Sequence, residues 1–155
     1  MAFGAPSAKG RALAHLARRE HSRAELARKL AAKVQDEPDA SAAEQIARAL
    51  DDLAARGLQS DERAAESVLH TQGARYGSRR IEQTLRARGL SAELVAGAVE
   101  QARRADLERA RAIWQRRFGA PAATPAERAR QARFLAARGF PAEVVREVVR
   151  GLEPD

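Results

Sequence analysis

The chain has 155 residues, 45% of them apolar, 4% aromatic and 32% charged, with a formal charge of +7. It holds no cysteine, so disulfides and thiol chemistry are excluded, and no stretch reaches the ~20 apolar residues of a membrane span. Alanine, leucine, arginine and glutamate dominate and all favour helix, while no run of alternating β-branched residues signals a strand.

Residues 1–7 are expected to be disordered. They lack the basic and apolar regions of a secretory signal, which points to the cytoplasm. The first helix is expected from about Ala8 to Glu20, with Leu13, Leu16 and Ala17 inward. Ser22-Arg-Ala-Glu25 is a capping box, in which Ser22 and Glu25 satisfy each other's amides, and it opens a second helix to about Lys33. Val34–Ala40 holds Asp36, Glu37, Pro38 and Asp39 and reads as an acidic loop. Ser41-Ala-Ala-Glu44 is a second capping box, opening a helix through Ile46, Leu50 and Leu53 that Gly57 stops.

Ser60 is expected to cap the next helix, with Asp61 and Glu62 in the first turn and Val68 and Leu69 in the core. Ser78 reads as the N-cap of a helix with Ile81 and Leu85 on one face. Gly89 ends it, since glycine enters the left-handed conformation at little cost. Ser91 caps the following helix, with Leu94, Val95, Ala98 and Val99 inward. Asp106 is expected to open a helix with the stripe Leu107, Ala110, Trp114 and Phe118. Thr124-Pro125-Ala126-Glu127 is a strong start signal. That helix stops at Gly139, and a last one runs from about Ala142 to Arg150.

Two segments align without a gap at an offset of fifty: Leu85 with Leu135, Arg88 with Arg138, Gly89 with Gly139, Glu93 with Glu143, Val95 with Val145. A weaker copy upstream matches Leu26, Leu30 and Lys33 to Ile81, Leu85 and Arg88. Self-similarity of this kind marks a repeat architecture. The expected fold is all-α, with nine helices in three tandem three-helix repeats at 8–59, 60–104 and 105–152. The three parts carry +2, +2 and +3, so the charge is spread along the chain.

No enzyme signature is present. There is no phosphate-binding Gly-x4-Gly-Lys-Ser/Thr loop and no Gly-x-Ser-x-Gly elbow. His15, His21 and His70 have no metal-ligand spacing, and the adjacent carboxylates Asp51-Asp52 and Asp61-Glu62 point about 100° apart on a helix. No catalytic residue, metal or cofactor is expected. Trp114 reads as core before it reads as a base-stacking platform. What remains is arginine: Arg75, Arg79, Arg80 and Arg86 in the middle repeat, and Arg116, Arg117, Arg128, Arg130 and Arg133 in the third. One reading is a solvated helix face paired to Glu82 and Glu127. The favoured reading is a surface for phosphate or acidic protein, because guanidinium forks match both; Arg75, Arg79, Arg80, Arg86, Arg116, Arg117, Arg130 and Arg133 are its expected partner-binding residues.

In order and spacing, Ser22-Arg-Ala-Glu-Leu-Ala-Arg-Lys-Leu30, Leu58 with Asp61-Glu62-Arg63, Gly77-x-x-Arg80-Ile81, Leu85-x-x-x-Gly89-Leu90 and Phe134-Leu135-x-x-Arg138-Gly139-Phe140 resemble the RecX family, bacterial regulators of the RecA recombinase. The acidic Val34–Ala40 insertion and Ala64-Ala65 depart from the family pattern. The resemblance implies an elongated, curved array of repeats with no enzymatic activity, acting in homologous recombination and DNA repair. It also implies binding in the groove of the RecA filament on single-stranded DNA, limiting filament extension, ATP hydrolysis and strand exchange. A monomer is expected. Direct nucleic-acid binding without a recombinase partner and a purely structural adaptor remain as alternatives.

Overall fold

The computed structural model describes residues 4–151 and is built of helices, with no named strand among those residues. Eight helices follow in order: α1 Ala8–Leu16, α2 Arg23–Ala31, α3 Ala42–Ala55, α4 Asp61–Gln72, α5 Ser78–Ala87, α6 Ala92–Arg117, α7 Pro125–Ala137 and α8 Ala142–Arg150. The local signals explain most of these boundaries. Both capping boxes form, at Ser22/Glu25 and Ser41/Glu44. Ser60, Ser91 and Thr124 each accept an amide three residues on. Gly57, Gly89 and Gly139 have φ of +72°, +71° and +90° and end α3, α5 and α7. Residues 1–3 of the segment expected to be disordered lie outside the described residues, as does Leu152; Ser7 caps α1 by accepting the Gly10 amide at 3.0 Å.

The chain divides into two compact units, one formed by Met1–Ser67 with Ala87–Leu90, the other by Val68–Arg86 with Ser91–Asp155. In the first, Ala12, Leu26, Leu30, Ile46, Leu50 and Leu53 make the core, with Leu16, Ala27 and Val34 packed against it. The inward face of α1 differs from expectation. Ala8 and Ala12 are buried while Leu13 and Ala17 are exposed. Small side chains let α1 lie close on α3, and the larger Leu13 is turned out. His21 is buried beside this core. Lys29 Nζ donates to its Nε2 at 2.9 Å, so Nδ1 carries the proton and donates to the Arg19 carbonyl at 3.0 Å. Burial, then the Arg19 and Lys29 charges, lower the His21 pKa against the opposing hydrogen bond to Arg19 and charge of Glu25. Burial also opposes ionisation of Glu25, but the Arg19 hydrogen bonds, the Ser22 amide and the charges of Arg19 and Arg88 outweigh it and hold its pKa low.

In the second unit, Ala110, Ile113, Trp114, Leu135, Phe140, Val145, Val148 and Val149 form the core. Trp114 is 2% exposed and its Nε1 donates to Gln131 Oε1 at 3.0 Å, which settles it as a core residue. Val68 is fully buried but Leu69 is only half-buried.

Two expectations are corrected here. The count of nine helices becomes eight among the described residues, because α6 runs 26 residues without a break. Nothing between Ala98 and Leu107 is a breaker, and Asp106 sits inside the helix, 1% exposed. Nor is Ser78 an N-cap: it is the first residue of α5, and its amide and hydroxyl both donate to the carboxylate of Asp106. Arg109 completes that buried cluster, donating to Asp106 Oδ1 at 3.2 Å and to the carbonyls of Gly73 and Ala102. Asp106 therefore joins the start of α5 to the middle of α6.

Candidate functional site

All eight arginines expected to bind a partner belong to the second unit, and all are exposed. Three of them, Arg75, Arg116 and Arg117, converge on an open groove of about 240 Å³ that Arg138, Phe134 and Ile113 also line. Arg75 comes from the turn after α4, Arg116 and Arg117 from the last turn of α6, and Phe134 and Arg138 from the end of α7. Phe134 is four residues before Arg138 and so shares its helix face.

The guanidinium of Arg138 lies 5.1 Å from the Phe134 ring centre and that of Arg117 lies 5.6 Å from it. Phe118 meets the same ring edge-on at 5.4 Å. Stacking on an aromatic face holds a guanidinium in place while leaving its donors outward. Arg138 Nη1 also donates to the Arg75 carbonyl at 3.4 Å. Among the described residues none of Arg75, Arg116, Arg117 and Arg138 forms an ion pair with a carboxylate, whereas Arg104, Arg109 and Arg111 of the same unit each do. Four arginines thus share a groove with no negative charge in its lining.

The other expected residues stand apart from that groove. Arg80 stacks on Tyr76 at 4.3 Å. Arg79 is exposed at the start of α5, where its amide donates to the Gly139 carbonyl at 2.9 Å. Arg86 is engaged with Glu82 at 2.9 Å, the pairing that a plain solvated face would give. Glu127 instead caps α7, accepting the Ala123 amide at 2.8 Å. Arg130 and Arg133 are exposed on α7 and do not line the groove. Arg138 is not in the expected set; the sequence marks it only as the repeat match of Arg88 and as part of the Phe134–Phe140 motif. The signal that could have found it is the Phe134–Arg138 spacing, an aromatic and a cation one turn apart.

No group of three or more His, Cys, Asp or Glu side chains among the described residues could hold a metal ion. No helix among them is long and apolar enough to cross a membrane.

Comparison with known proteins places these features. The family models described as the second and third three-helix domains of RecX match residues 60–99 and 105–149. The Regulatory protein RecX of Leptothrix cholodnii is 51% identical over 93% of this chain and 88% of its own length. That of Ralstonia nicotianae is 43% identical over 95% and 89%. The crystal structure of RecX from Lactobacillus salivarius superposes with a TM-score of 0.70 at 18% identity, covering 94% of each chain, which supports the fold. The identities and the two matched helical domains agree with the all-α repeat, and this chain belongs to the RecX family of regulatory proteins.

Proposed function

We propose that this protein restrains a RecA-type recombinase by binding its filament on single-stranded DNA, limiting filament extension, ATP hydrolysis and strand exchange. The observation that carries the reading is the groove of Arg75, Arg116, Arg117 and Arg138 around Phe134, four cations with no carboxylate partner. Such a site suits the phosphates or acidic side chains that a nucleoprotein filament offers. Arg79, Arg80, Arg130 and Arg133 extend the basic surface, and Arg86 contributes less because Glu82 already neutralises it. The protein works as a cytoplasmic monomer made of three-helix repeats, by binding and without catalysis.

The test is recombinase ATPase activity on single-stranded DNA with the purified protein added. Inhibition is expected, and changing Arg75, Arg116, Arg117 and Arg138 together to glutamine should weaken it about tenfold or more. No inhibition by the parent protein would overturn the reading. Tight binding to naked DNA with a steep salt slope and no effect on the recombinase would favour direct nucleic-acid binding instead.

A further inference from the structure

The first unit carries its own concentration of positive charge, away from the arginines discussed so far. Arg11 and His15 of α1 and Arg18 just past its end face Lys29 of α2 and Lys33 just beyond that helix across an open pocket of about 380 Å³. Leu30 and Ala14 give that pocket an apolar wall, and no carboxylate lines it. Among the described residues Arg11, Arg18 and Lys33 form no ion pair, although Lys9, Arg19 and Arg23 on neighbouring positions do. Lys29 is held differently. Its ammonium donates to Nε2 of the buried His21, a neutral acceptor that fixes its position without forming an ion pair.

Four permanent cations and a histidine around one pocket repel each other, and no carboxylate stands in its lining. We propose that this pocket is a binding site for a phosphate group, carried either by a nucleotide or pyrophosphate or by a nucleic-acid backbone. The donors suit that chemistry: two guanidinium forks for bidentate contact and two ammonium groups as point charges. The pocket's size lies at the lower end for small-molecule sites. Its small apolar wall accepts a ribose or a base edge beside the phosphate.

His15 supplies the readout. Its pKa lies below the ordinary value because burial, then the charges of Lys29, Arg18 and Arg19, oppose its protonation. Arg11 from its own helix and Lys33 near the end of α2 add to the same positive lining, and the His21 ring stands 5.5 Å away. A bound phosphate reverses the sign of the local field, so the His15 pKa should rise.

The experiment uses the full chain with nitrogen-15 labelled histidine. Inorganic pyrophosphate, a mononucleotide and a short single-stranded oligonucleotide are each titrated while the His15 ring signals are followed. Saturable shifts of His15 and an upward move of its pKa are expected. Arg18→Gln and Lys33→Gln, both surface changes that should fold, should each weaken binding about tenfold, and Arg104→Gln on the second unit, where Glu100 already pairs with it, should not. Shifts with pyrophosphate and mononucleotide but not the oligonucleotide identify a free phosphate compound as ligand; shifts with all three identify the backbone as a source. No saturable His15 shift with any probe, or affinities equal in parent, Arg18→Gln and Lys33→Gln, would overturn the site. The recombinase plays no part in this measurement, so its result stands apart from that of the filament test.

Discussion

The amide of Gly77 donates to the carbonyl of Arg138 at 2.8 Å, and the hydroxyl of Ser22 donates in the same way to the carbonyl of Arg88. Ser22 and Gly77 each precede the second helix of a repeat. Arg88 and Arg138 each precede the glycine that ends the second helix of the next repeat. The joint between consecutive repeats is therefore made twice with the same backbone acceptor and different donors. Beside it the glycines are pressed close. A Cβ on Gly89 would stand 2.6 Å from the Ala24 Cβ, and one on Gly139 would stand 2.4 Å from the Arg80 Cβ.

Substitution at these corners should be costly for two reasons at once. Gly89→Val and Gly139→Val combine positive φ with a clash, and each should lose more than ~1 kcal/mol of stability. Gly57 has φ of +72° but open space around it, so Gly57→Asn should cost under ~1 kcal/mol. Urea midpoints of the three variants give the comparison. Equal losses at Gly57 and Gly139 would refute the close-approach argument.

Gly77 tests the joint without any help from backbone conformation. A Cβ there would meet the Gly139 carbonyl oxygen at 2.5 Å and the Phe140 Cα at 2.6 Å, both main-chain atoms that cannot swing away. Gly77→Ala should destabilise by about 1–3 kcal/mol. A variant melting at the parent temperature would show that the two segments part easily.

The Asp106 cluster predicts a large effect from a single carboxylate. Removing it leaves the Ser78 amide and hydroxyl without their acceptor and the partly buried Arg109 without its counter-charge, held only by the carbonyls of Gly73 and Ala102. Asp106→Ala should therefore cost about 3–5 kcal/mol, and Asp106→Asn, which keeps one acceptor, should cost less. Denaturant unfolding of both variants checks the order as well as the size.

His21 makes stability depend on pH with a definite sign. Its folded pKa is lowered from 6.5, so well above that value both states are neutral and the ring imposes no pH penalty. As pH falls through the unfolded value, the unfolded chain takes up a proton that the folded state resists, and stability drops until the folded pKa is reached. The urea midpoint should fall between about pH 7.5 and about pH 5.5, and His21→Gln should flatten part of that slope. His15 has the same sign, so His15→Gln is the necessary companion variant. A slope unchanged in His21→Gln would mean the buried ring does not govern it.

If the arginine groove meets phosphates, each contact removed should lower the salt slope of filament binding by about one. Arg117→Gln and Arg138→Gln should weaken binding more than Arg86→Gln, whose guanidinium is already paired. Equal effects at all three positions would move the contact surface away from Phe134.

The helix starts and stops were legible because their signals are local. A serine three residues before a glutamate, or a glycine after an amphipathic run, acts within one turn of chain. The fusion of two expected helices into α6 was not legible, because Asp106 beside an apolar stripe looks like a start signal. Its partner, Ser78, lies 28 residues away, and the same long-range bond took Ser78 out of its expected capping role. Much of the arginine surface was legible as charge. Which arginines share a groove was not, since Arg75, Arg117 and Arg138 are gathered from three separate segments by packing around Ile113 and Phe134.

The unbroken run of α6 has a consequence for what lengths the chain tolerates. Its 26 residues span about 39 Å at 1.5 Å each. An inserted residue between Asp106 and Ile113 would turn everything beyond it by about 100°. Ile113 and Trp114 would leave the core together, and Arg116 and Arg117 would swing off the groove. Four added residues would overshoot a full turn by about 40°, and seven would miss two turns by only about 20°. The helix thus works like a toothed shaft, in phase at some lengths and out of phase at others. Additions between Gly119 and Ala123, a loop outside the helix, carry no such phase, so changes of length should be accepted there and rejected inside α6.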